Sequence, residues 1–225
     1  MSISATRLAH LTPSDRAIFA TNARLISCLV TESLLKALYI PIVGFKINGI
    51  AVVLLGEFDA PPRPYQSKDI LAIVALQDIP FLDKESEGSY ERKIGLLDPL
   101  DMVPFIFEVS RGFSGPASEH DDLSAAILNT LCQQGWDIEG STCLQPCKNA
   151  TSIWEKFGSS LNLDKSLVQS ISTEFSSSVK WQTHAYENPP PAPQFSSSSI
   201  AWEQSIVEGH PTHPVRKPSF PRGRD

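Results

Sequence analysis

Apolar residues recur along this chain in two rhythms, helical spacing in some segments and nearly unbroken runs in others, and the switches between them mark its elements. Behind the cap-and-acid pattern Thr12-Pro13-Ser14-Asp15, residues Ile18, Leu25, Ile26, Leu29, Val30, Leu34 and Leu38 follow helical spacing and predict an opening helix over about 14–37. Two β-rich runs, 40–47 and 50–55, meet at Asn48-Gly49, the dipeptide typical of a tight hairpin. The runs 70–76 and 103–109 are too continuously apolar for a surface helix and predict buried strands. Between them the charged stretch 83–93 predicts an exposed connection.

Helical spacing returns over 118–134, where Asp121 and Asp122 stand near the amino end and Gly135 marks the stop. Those two carboxylates suit the helix dipole, and no partner cluster nearby suggests a metal. Further helices are expected over about 149–159, with Ile153, Trp154 and Phe157 on one face, and over 164–180, with Leu167, Val168, Ile171 and Phe175. The expected fold class is α+β: an opening helix on a mixed or antiparallel sheet, followed by helices. Around residue 187 the composition changes to consecutive prolines and then serines, which cannot build a packed core. The expected division is therefore a domain over 1–187, a Pro/Ser-rich linker over 188–199 and the start of another domain over 200–225, with a short helix ending at Gly209.

Composition narrows the partners. At 225 residues and 41% hydrophobic, the chain is long enough for one large domain or a domain with an appendage. A formal net charge of −6 offers no general attraction for nucleic acid or an anionic membrane. The basic tail Arg216, Lys217, Arg222 and Arg224 reads as a solvated end. No apolar run reaches membrane-spanning length and the start lacks the order of a secretory signal, so a cytoplasmic protein is expected. Cys28, Cys132, Cys143 and Cys147 form no Cys-x-x-Cys pair and read as reduced, structural thiols.

The chemistry concentrates near the end, in Glu203-Gln204, four residues, then Gly209-His210-Pro211-Thr212-His213-Pro214 and, two residues on, Lys217. Each proline fixes its own φ and turns the preceding histidine away from helix, giving a stiff extended segment. Imidazole edges and an ammonium group held this way suit phosphate or carboxylate oxygens. Two other readings stay open for His210 and His213: a structural pin satisfied by backbone carbonyls, and a zinc pair, for which no third ligand is marked.

This spaced set resembles the IucA/IucC family, siderophore synthetases that work without a peptide-synthetase assembly line. Ser219 stands where the family pattern has Arg. The resemblance implies an ATP-dependent ligase that adenylates a polycarboxylic acid such as citrate and condenses it with an amine or hydroxylamine, using ATP with Mg2+. It implies that His210, His213 and Lys217 contact nucleotide or acid, while Glu203, Gly209, Pro211 and Pro214 shape the segment; no catalytic residue is assigned with certainty. Family members run to more than twice this length, so the chain is expected to hold the amino-terminal part and a truncated start of the ATP-binding domain. The alternative is a non-catalytic pseudoenzyme or association module, and in either case a homo-oligomer is compatible.

Overall fold

The computed structural model describes residues 8, 10–56, 64–83, 92–112, 121–189 and 191–199. Its first helix, α1 (Pro13–Thr31), starts where the cap pattern places it: the Asp15 amide donates to Thr12 Oγ1 at 3.1 Å, and Pro13 opens the first turn, where its missing N–H costs nothing. The helix ends six residues earlier than its apolar spacing suggests. Ser33 takes a left-handed φ of 57°, and the Leu34 amide reaches back to the Leu29 carbonyl at 2.9 Å, closing the helix as a glycine usually would. Leu34 and Leu38, which extend the helical pattern on paper, lie in the turn and in a strand.

The strands in chain order are β1 (Lys36–Pro41), β2 (Gly49–Leu54), β3 (Ile70–Leu76), β4 (Phe81–Leu82), β5 (Ile94–Leu96), β6 (Met102–Arg111) and β7 (Thr142–Pro146). Five form one antiparallel sheet in the order β1-β2-β3-β6-β7, and β4 with β5 makes a separate two-stranded ribbon. The first hairpin exists, but not with a turn at Asn48-Gly49. Gly49 is the first residue of β2, paired with Pro41, and residues 42–48 form the connection. A glycine is required there for a different reason: a Cβ would sit 2.6 Å from both the Ile40 carbonyl oxygen and the Tyr39 ring.

Helices cover both faces, which explains the unbroken apolar run: β3 is buried along its whole length. One face packs against α1, α3 (Ser152–Ser160) and α4 (Lys165–Glu187) through Ile26, Leu29, Ile153, Trp154, Phe157 and Phe175. The other packs against α2 (Asp121–Gln133), where Leu123, Ile127 and Leu131 meet Val52, Ile73 and Phe107. Fully burying each such side chain contributes roughly 1.5–3 kcal/mol. The α+β arrangement with the opening helix on an antiparallel sheet is thus observed.

α4 runs seven residues beyond its expected end. Asp164 caps it by accepting from the amides of Ser166 and Leu167 at 2.8 and 3.3 Å, and no helix breaker follows until Asn188-Pro189. Strand β7 was not expected, because a five-residue run with a proline gives a weak strand signal. The sheet margins both carry proline. On β1 the outward Tyr39 amide donates to the Arg92 carbonyl at 2.8 Å, and Pro41, two residues on, has no N–H. On β7 the bonds from the Cys147 amide to Ile106 and from the Gly112 amide to Ser141 place Thr142, Leu144 and Pro146 on the outer edge. The Thr142 amide donates to Glu139 at 2.9 Å, so Leu144 is the strand residue left with an outward N–H.

Candidate functional site

The residues that carry the sequence motif, Glu203, Gly209, His210, Pro211, His213, Pro214 and Lys217, all lie outside the described residues. The approach to them is visible. α4 lies antiparallel to α1, since the Arg16 guanidinium sits 4.2 Å from the centre of the Tyr186 ring while Arg24 and Thr21 meet Gln182. The chain therefore leaves the domain beside the first turns of α1. Asn188 ends α4, its amide donating to the His184 carbonyl at 2.8 Å, and the Pro/Ser-rich segment follows.

Concave surfaces lined by described residues include one of about 670 Å³ that runs between α3 and the strand ends, with Lys68, Arg111 and Lys156 on its walls and Leu55, Ile70 and Val109 among its apolar lining. Its cations are largely answered. Arg111 pairs with Glu139 at 2.9 Å, Lys156 lies 3.5 Å from Glu108, and Glu155 also lines the groove. Near-neutral local charge gives no focused field for an anion. A second cleft, about 530 Å³, lies beside β1, but its rings are already engaged: Tyr65 stacks on Trp136 at 4.7 Å and Arg92 lies 4.8 Å over Tyr39. A third, about 340 Å³, is walled by Phe19 and Phe105 over Asn22 and Cys147.

Two of the thiols, Cys143 and Cys147, are held by local hydrogen bonds. Burial, followed by the negative charge of Glu108, pushes the Cys147 thiol above its ordinary range, so it is neutral at pH 7. It accepts from Asn22 Nδ2 at 3.3 Å and donates to the Asn149 carbonyl at 3.2 Å. Cys143 shares a hydrogen bond with Ser110 Oγ at 2.9 Å. All four cysteines are free, and among the described residues no group of three His, Cys, Asp or Glu side chains converges to hold a metal ion. Nor is any described helix long and apolar enough to cross a membrane.

Sequence reading missed a buried polar cluster between α1 and α4. Arg24, 3% exposed, donates from Nη2 to Gln182 Oε1 at 2.7 Å, and Gln182 Nε2 donates to Ser178 Oγ at 2.9 Å and Thr21 Oγ1 at 3.3 Å. The signal was present: Ala17, Thr21 and Arg24 stand at i, i+4 and i+7 on a buried stripe, so two polar residues occupy core positions of an amphipathic helix.

No protein-family model matches this chain, and no solved structure matches it. A curated protein does: the NRPS-independent siderophore synthetase rfs of Rhizopus delemar is 34% identical over 221 residues, spanning 91% of this chain and 34% of its own length. The chain thus spans about a third of the relative it matches. At that coverage the likeness runs through the described sheet and helices. Over nine-tenths of its length this chain is a relative of the NRPS-independent siderophore synthetases of the IucA/IucC type.

Proposed function

We propose that this chain supplies the amino-terminal part of a siderophore synthetase, an ATP-dependent ligase that joins a polycarboxylic acid to an amine or hydroxylamine. The observation that carries this reading is the 34% identity to a siderophore synthetase across 91% of the chain, joined to the spaced set from Glu203 to Lys217. In the proposed reaction a carboxylate oxygen attacks the α-phosphorus of ATP and pyrophosphate leaves. The amine nitrogen then attacks the acyl carbon and AMP leaves. Negative charge builds on the phosphates, where a fixed cation contributes most. Lys217 is the proposed cation, and His210 and His213 are proposed donors or pins at the same pocket. Mg2+, when bound with ATP, would neutralise phosphate charge; the described residues assemble no ligand set for it, and no step is assigned to it.

In a protein carrying this segment joined to a complete catalytic region, citrate-dependent ATP–pyrophosphate exchange should be measurable. Lys217→Ala should lower its rate by about two orders of magnitude with the fold intact. Exchange at the wild-type rate in that variant would remove Lys217 from the phosphate site, and no citrate-dependent exchange in the unmutated joined protein would move the chain to the second reading, a non-catalytic pseudoenzyme or association module.

A further inference from the structure

α4 has two different partners along its length. Its first half is pinned by apolar contact: Trp154 meets the Phe175 ring edge-on at 6.2 Å, the Trp154 indole N–H donates to the Val168 carbonyl at 3.1 Å, and Gly158 lets Val168 approach so closely that a Cβ would lie 2.8 Å from it. Its second half faces α1, and there the buried residues are Ser178 and Gln182. Val179, Ala185 and Tyr186 are only half-buried and Trp181 is 42% exposed. On α1, Thr21 meets Gln182 and Arg16 meets the Tyr186 ring. Together with the Arg16 guanidinium over the Tyr186 ring, the buried network of Thr21, Arg24, Ser178 and Gln182 joins the last three turns to α1.

We propose that this network is a clasp, and that residues 178–187 form a separately opening arm whose closure fixes where the following chain leaves the domain. A segment with few buried apolar contacts opens at lower free energy than the core to which it is attached. With the clasp closed, the chain departs beside Arg16. With it open, departure moves back along α4 by about ten residues, roughly 15 Å of helix at 1.5 Å per residue. The chain that follows α4 would then start from one of two places, and this holds whether or not the chain serves a ligase.

Hydrogen exchange of the whole chain, read peptide by peptide, tests the clasp. Gln182→Ala leaves the Arg24 guanidinium buried without its amide partner, so protection across 178–187 should fall about 10- to 100-fold. Protection across 165–175 should stay within about threefold, and the opening should respond weakly to urea, as local openings do. The double variant Arg24→Leu with Gln182→Leu replaces the polar pair with apolar bulk and should restore protection of 178–187 to the wild-type level or above. Uniform loss along all of α4 in Gln182→Ala, no loss at all, or failure of the double variant to restore the arm would each overturn the proposal.

Discussion

The two faces of the sheet solve the same packing problem by different chemistry. Against α2 an apolar cluster makes the contact: Leu123, Ile127 and Leu131 lie over Val52, Ile73 and Phe107, with Trp136 at the margin. Against α1, α3 and α4 an apolar core of similar kind is threaded with buried polar groups, including Thr21, Asn22, Arg24, Ser172, Ser178 and Gln182. Apolar contact is non-directional and grows with area, so the α2 face is specified by shape and volume. Hydrogen bonds between buried groups also fix which side chain meets which, because an unmade bond there is costly. The directional chemistry lies on the face from which the chain departs toward its terminal motif.

Phe107→Ala should sharpen the contrast most. Its ring is fully buried on the α2 face, and deletion should cost about 3–5 kcal/mol in urea unfolding, with a single cooperative transition at lower denaturant. Trp154→Phe probes the other face by removing one directional contact, the indole N–H to Val168, with little loss of bulk. About 1–2 kcal/mol is expected by the same measurement. A loss as large as that of Phe107→Ala would dissolve the distinction between the faces.

The smallest effect is set by pH. Hydrogen bonds from the Ser166 hydroxyl, then from the Ser166 and Leu167 amides, hold the Asp164 carboxyl below its usual range at the start of α4. With the folded pKa depressed, its contribution is present above the unfolded pKa of about 3.9 and is lost as pH falls through the lower folded value. An Asp164→Asn variant should therefore show a slightly flatter acid limb of thermal stability than wild type below about pH 4. An identical acid limb in both would remove Asp164 from the account of how α4 is anchored.

What could be read from residues alone follows the same division between shape and direction. The unbroken runs at 70–76 and 103–109 locate β3 and β6, because a strand covered on both faces must be apolar at every position. Helix starts were legible from Thr12-Pro13 and Asp164, whose side chains cap through short-range bonds. Helix ends were not. Ser33 adopts a left-handed conformation that no local preference announces, and α4 continues past 180 through a polar stretch because α1 lies alongside it. Asn48-Gly49 carries the composition of a tight turn, yet the glycine serves the approach of the Tyr39 ring, a demand made by a residue ten positions earlier. The terminal motif was legible as spacing and charge in Glu203, His210, His213 and Lys217, and its placement lies beyond the described residues.

The prolines at the two sheet margins bear on how copies of this protein meet. An open strand edge is a template on which a neighbouring chain can continue the hydrogen-bond ladder, the route to strand-swapped aggregates and fibrils. Pro41 breaks that template on one side, where the neighbouring outward amide is already taken by Arg92, and Pro146 breaks it on the other, leaving the Leu144 amide alone. Each margin therefore offers a neighbouring chain fewer backbone donors than an unbroken strand would, which weakens the sheet as a template for strand exchange.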